Sequence, residues 1–126
     1  MDKLLIDLQR NCKATCVFVK EEEYKQLSPI VSMKANVSDS FLFSSKPPFA
    51  EKINSKCEAN DICYFVIKGI EEISVKKQER FLSLVKDREL NGYKLPDNCI
   101  IVFTIKDRDN LKNISQEIYK FSVIAF

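Results

Sequence analysis

The sequence predicts one three-layer α/β/α domain spanning residues 1–126, with a mostly parallel five-stranded sheet. Three observations carry that prediction. Residues 62–67 and 99–105 are unbroken apolar runs, the pattern of strands buried on both faces rather than alternating toward solvent. Such runs alternate along the chain with apolar stripes at helical spacing. The segments between them are long enough for the crossovers that parallel pairing demands.

The elements follow in order. Asp2 is placed to cap a short helix whose Leu5, Leu8 and Cys12 recur at helical spacing, and residues 14–20 form the first β-branched and aromatic strand. Residues 21–34 read as helix interrupted by Pro29. Phe41, Leu42 and Phe43, framed by serines, read as a short second strand. Pro47 and Pro48 then introduce a helical stripe at Phe49, Ile53 and Cys57. The run 62–67 is the third strand, and Ser74 caps a helix over 74–86 that turns Phe81, Leu82 and Val85 inward. Asn91-Gly92 is a strong hairpin signal. Residues 99–105 form the fourth strand, a short helix covers 115–119, and residues 122–126 form the fifth strand.

Composition narrows the function. Of 126 residues, 45% are hydrophobic and 30% charged, as in a globular protein. The net charge of +2 is too near balance to demand nucleic acid or an anionic membrane as partner. The start of the chain lacks the pattern of a signal peptide and no run is long enough to span a bilayer, so a cytoplasmic location is expected. The five cysteines form no C-x-x-C pair, and buried thiols are expected rather than a zinc site. The chain has no histidine, which removes the usual general base of nucleophilic catalysis.

The run Cys63-Tyr64-Phe65-Val66-Ile67-Lys68-Gly69-Ile70-Glu71-Glu72-Ile73-Ser74 resembles the Walker B strand and following turn of AAA+ ATPases of the MoxR and dynein-related branch. Leu95-Pro96-Asp97-Asn98 with residues 100–106 resembles the approach to the sensor-1 strand, and residues 114–121 resemble the segment ending near the arginine finger. Residues 4–20 resemble the helix and first strand before a Walker A loop. The resemblance implies a P-loop NTPase-like AAA+ core without its lid.

It also implies where nucleotide chemistry should reside, and those positions have changed. A P-loop wraps phosphate with successive glycine amides, a lysine and a magnesium-binding hydroxyl. Glu21, Glu22, Glu23, Tyr24, Lys25 and Gln26 follow the first strand with no glycine. Lys25 falls at the lysine position, and Gln26 replaces the hydroxyl. Lys68 stands in place of the magnesium-binding aspartate and Gly69 in place of the glutamate that orients water. Lys106 replaces the sensor asparagine and Lys120 the finger arginine. An ammonium holds no divalent cation, and glycine positions no water.

The expectation is therefore an inactive relative of AAA+ ATPases, with no catalytic residues, cofactor or metal, that binds protein: an intact AAA+ ATPase or a second copy of itself. One internal substitute for the lost ligand would be Lys68 paired with Glu21–Glu23; the alternative is that these glutamates are a solvated first helical turn. Two alternative functions remain. One is nucleic-acid binding through Arg88, Tyr93 and Lys94 around the hairpin, unless this is a plain surface turn. The other is residual nucleotide binding or ATPase activity. Asp107, Arg108, Asp109 and Lys112 follow the sensor-like strand and offer an interaction edge, or plain solubility. Asn36-Val37-Ser38 and Asn113-Ile114-Ser115 match the glycosylation pattern, which carries meaning only in a secreted chain.

Overall fold

The computed structural model describes residues 16–42, 48–57, 62–90, 92–96 and 98–124. The helix expected before residue 13 lies outside them, as do Phe43, Pro47, Asn91, Asp97 and the last two residues of the expected fifth strand.

A five-stranded sheet is built from β1 (Cys16–Lys20), β2 (Val31–Lys34), β3 (Cys63–Lys68), β6 (Cys99–Ile105) and β7 (Ser122–Ile124). Its order is β2-β3-β6-β1-β7, and every pairing is parallel. Two short strands, β4 (Glu89–Leu90) and β5 (Tyr93–Lys94), form a separate antiparallel hairpin. The helices are α1 (Asp39–Leu42), α2 (Pro48–Lys56), α3 (Val75–Gln78), α4 (Leu82–Lys86) and α5 (Gln116–Lys120). Four 3₁₀ segments join them: Glu21–Leu27, Ile70–Glu72, Glu79–Phe81 and Arg108–Asn113.

The two central strands behave as their composition requires. All of β6 is buried, as is β3 up to Ile67, because both faces of each are covered. On one face Phe18, Phe65, Ile67, Ile101 and Phe103 meet Phe49 and Ile53 of α2, Phe81, Leu84 and Val85 of the 79–86 region, and Ile118 of α5. Tilted and edge-on ring contacts, Phe49 with Phe65 at 4.9 Å and Phe18 with Phe103 at 5.5 Å, fill this layer. On the other face Val17, Val19, Tyr64, Val66, Ile100 and Val102 pack with Leu27, and Tyr24 leans against them.

Four expectations are corrected. Phe41 and Leu42, expected in the second strand, are helical: Ser38 accepts a hydrogen bond from the Phe41 amide through its hydroxyl at 3.2 Å, and residues 39–42 form a helical turn. The true second strand lies within the stretch read as helix. Glu21–Leu27 is a 3₁₀ helix that stops at Ser28, whose φ is +51°, and Val31 and Met33 then alternate with exposed Ser32 and Lys34 as an edge strand should. The 74–86 helix begins where expected, with the Ser74 hydroxyl accepting from the Lys77 amide, but passes through a 3₁₀ turn at Glu79–Phe81.

The fourth correction concerns cysteine. Cys57, just after α2, and Cys63, opening β3, form a disulfide across a sequence separation of 6, their Cα atoms 5.7 Å apart. Cys16 and Cys99 are the buried free thiols expected, and burial pushes their pKa values up to about 12 and about 11. A disulfide is favoured in oxidising surroundings and is rare in the cytosol, so this pair weighs against the cytoplasmic expectation. No helix among the described residues is long and apolar enough to cross a membrane.

Candidate functional site

The carboxyl ends of β1, β2, β3 and β6 lie together along one edge of the sheet, the edge where open α/β folds hold ligands. Lysine marks it: Lys20, Lys34 and Lys68 end β1, β2 and β3, and Lys106 follows β6. A cleft of about 250 Å³ opens at the ends of β1–β3. Glu21 and Tyr24 come to it from the 3₁₀ helix after β1, Lys34 and Asn36 from the end of β2, and Lys68, Gly69 and Glu72 from the end of β3.

Local structure sets these positions. Lys34 and Lys68 are register partners on adjacent parallel strands, so their side chains leave the same face of the sheet. Tyr24 stands on that face, and the Lys68 ammonium lies 5.6 Å from the centre of its ring. Gly69 turns the chain out of β3 with φ +72°, a conformation that suits glycine, and a Cβ there would meet Glu72 Oε2 at 3.0 Å. Its amide donates to Oγ1 of buried Thr104 on β6 at 3.1 Å, tying the cleft floor to the central strand.

Next to the cleft lies an acidic pair. Glu72 forms an ion pair with Lys106 at 3.5 Å, both side chains more than half exposed. Glu71 turns inward: its Oε1 accepts from the Lys106 amide at 3.3 Å, while Oε2 is buried and finds no hydrogen-bond partner among the described residues. Burial raises the Glu71 pKa, opposed by backbone hydrogen bonds and reinforced by the charges of Glu72 and Glu21.

The expected site residues thus divide. Glu21, Lys68 and Gly69 share the cleft, and Lys106 reaches its margin through Glu72. Glu22, Glu23, Lys25 and Gln26 belong to the same 3₁₀ helix as Glu21 but do not line the cleft, and Lys120 pairs with Glu117 on α5 at 3.1 Å. The substitution of Lys68–glutamate contact for lost ligand is not what the geometry gives. Lys68 faces an aromatic ring, and the ion pairs among the described residues are Arg80–Asp39, Lys106–Glu72 and Lys120–Glu117. The ammonium lies beside a π-face and forms no ion pair with the cleft carboxylates.

The hairpin side chains serve the fold. Arg88, with φ +60°, donates from its guanidinium to the carbonyls of Pro96 and Cys99 at 2.7 and 2.5 Å. The Tyr93 hydroxyl donates to Asn54 Oδ1 at 3.0 Å, and its ring meets Phe49 edge-on. Lys94 is exposed. Asp107 accepts from the Asp109 amide and so caps the following 3₁₀ turn, a local structural role.

Sequence reading missed Lys34, Asn36, Glu72 and Thr104 as parts of this site. One signal was present: three of the strands end in lysine and the fourth is followed by one. Among the described residues no group of three or more His, Cys, Asp or Glu is placed to hold a metal ion. No known family profile matches the chain, and no curated protein matches it significantly.

Proposed function

We propose that this chain is a P-loop NTPase-like, three-layer AAA+-related domain that no longer handles nucleotide and works by binding protein, with an intact AAA+ ATPase as the favoured partner. The observation that carries this reading is the segment after β1. Where the resemblance calls for a glycine loop around phosphate, the chain runs directly into a glycine-free 3₁₀ helix with Glu21, Glu22 and Glu23 in its first turn. One like-charge contact at about 4 Å costs roughly 4 kcal/mol near a protein surface, about half the binding free energy of a micromolar ligand.

The strand order supports the same reading. The Walker-B-like strand β3 and the first strand β1 flank the sensor-like strand β6, so three of the four segments that carry the resemblance lie side by side in the sheet. The partner choice rests on fold analogy. The nucleic-acid alternative has less support, because Arg88 and Tyr93 are engaged inside the fold, leaving Lys94 of the three side chains that reading needs.

Calorimetry with ATP and magnesium is the test of the first half: no saturable heat and no turnover are expected, and micromolar binding or hydrolysis would refute it. Affinity capture from the native host tests the second half. Enrichment of an ATPase that binds the purified chain directly is expected, whereas a chain that is recovered alone is not an interaction module of this kind.

A further inference from the structure

We infer that the cleft at the carboxyl ends of β1–β3 is a binding site for a single carboxylate group, held by Lys34 and Lys68 against the ring of Tyr24. This goes beyond the family reading and does not depend on it, since it uses only the cleft.

The two ammonium groups come first. Lys34 and Lys68 lie on paired strands in register and line one cavity, yet neither has an ion-pair partner among the described residues. A carboxylate entering beside them gains attraction from both ammonium groups, neither of which is committed to an ion pair. Asn36 adds an amide to the same wall, and Tyr24 supplies a flat apolar surface for the carbon chain that bears the acid.

Charge selects among anions. Glu21 and Glu72 also line the cleft and balance the charge of the two lysines. One carboxylate adds a single negative charge to this balanced lining. A phosphate dianion adds two, and the second is pushed toward Glu21 or Glu72. Size selects further: about 250 Å³ lies below the roughly 300–1,000 Å³ of pockets that enclose drug-sized ligands. The space suits one acidic side chain or a short dicarboxylic acid, and it is too small to enclose a nucleoside triphosphate.

The experiment is an amide-resolved NMR titration of the full chain with glutarate, with a tetraglutamate peptide and with inorganic phosphate, at matched ionic strength. Saturable shifts at the amides of Tyr24, Asn36, Lys68 and Gly69 are expected with glutarate or the peptide. Tighter binding of glutarate assigns the carboxylate to a free small acid, and tighter binding of the peptide assigns it to a side chain of a protein partner. Lys34→Gln and Lys68→Gln should each weaken binding about tenfold, roughly 1.4 kcal/mol. Lys34→Arg should largely retain it, and Lys94→Gln on the hairpin should leave it unchanged. Lys34 is exposed, so its variants test the site without threatening the core. The inference is overturned if neither carboxylate shifts these amides saturably, if phosphate binds as tightly as glutarate, or if Lys34→Gln binds like the parent chain.

Discussion

Replacing Thr104 by valine isolates the bond that holds the cleft floor. Thr104 is fully buried in β6, and its Oγ1 accepts the amide of Gly69, also buried, at 3.1 Å. Valine keeps the shape and removes the acceptor. The amide of Gly69 is then left in an apolar setting without a partner, a loss of about 1–3 kcal/mol, offset in part because a methyl group replaces a buried hydroxyl. The net expectation is about 2 kcal/mol of stability, or roughly thirtyfold in the unfolding equilibrium. Urea denaturation measures the total, and hydrogen exchange at the Gly69 amide reports the bond itself: protection of this amide should fall more than that of amides in the middle of β3. Thr104→Ser should keep the protection while losing about 1 kcal/mol for the missing methyl. If the valine variant matches the parent in both stability and Gly69 exchange, the amide has another acceptor and the floor is not held as described.

Four other substitutions test the surroundings. Arg80 donates to the carbonyls of Ala35 and Val37 and to Asp39 from a side chain only 11% exposed, so Arg80→Ala should cost about 2–4 kcal/mol. Asp39 is 72% exposed, and Asp39→Asn should cost under about 1 kcal/mol in the same urea experiment; equal losses would mean that the ion pair dominates over the carbonyl contacts. The Glu71 carboxyl binds its proton more tightly in the folded state than in the unfolded chain, so its contribution to stability is complete below the ordinary glutamate pKa and is lost as pH rises through the raised folded value. Glu71→Gln should flatten that fall and raise stability at neutral pH; an unchanged pH profile would show that Glu71 is solvated. Cys57→Ser opens a short covalent loop and should cost about 2 kcal/mol under non-reducing conditions, a difference that vanishes when reductant is added to both proteins.

What the sequence made legible follows from how local each signal is. The strands β3 and β6 needed only their own residues: continuous runs of Val, Ile, Phe and Cys bury both faces of a central strand whatever lies beside them. The Ser74 cap was equally local. The second strand was misplaced because two weak signals competed. Phe41-Leu42-Phe43 looked like strand on propensity alone, while Ser38 and Asp39 before it form a helix start; Val31-Ser32-Met33-Lys34 shows a clear period of two after Pro29, yet is only four residues long. The Cys57–Cys63 bond was illegible because it depends on α2 delivering its last turn to the start of β3, a fact of topology rather than of spacing. Gln78 shows the same limit. It reads as a polar helical surface residue but is fully buried, joining the carbonyls of Ile73 and Asn113 and the Ser115 amide across the fold.

The cleft lies between these extremes. Its lysines recur in the sequence at each strand end, but a lysine after an apolar run is an ordinary solvated strand terminus until its neighbours are known. Pairing decides the matter. With Val31 beside Phe65, Lys34 falls beside Lys68 and both point to the face that carries Tyr24. A slip of one residue in the β2–β3 register would turn the Lys34 side chain to the opposite face and expose Met33 or Val31 in exchange. The burial of those two apolar side chains, at 7–8% exposure, is therefore what fixes the register that puts both lysines on one face. Exchanging Val31 and Met33 for polar residues should loosen β2 and abolish carboxylate binding together, even though neither side chain touches the cleft.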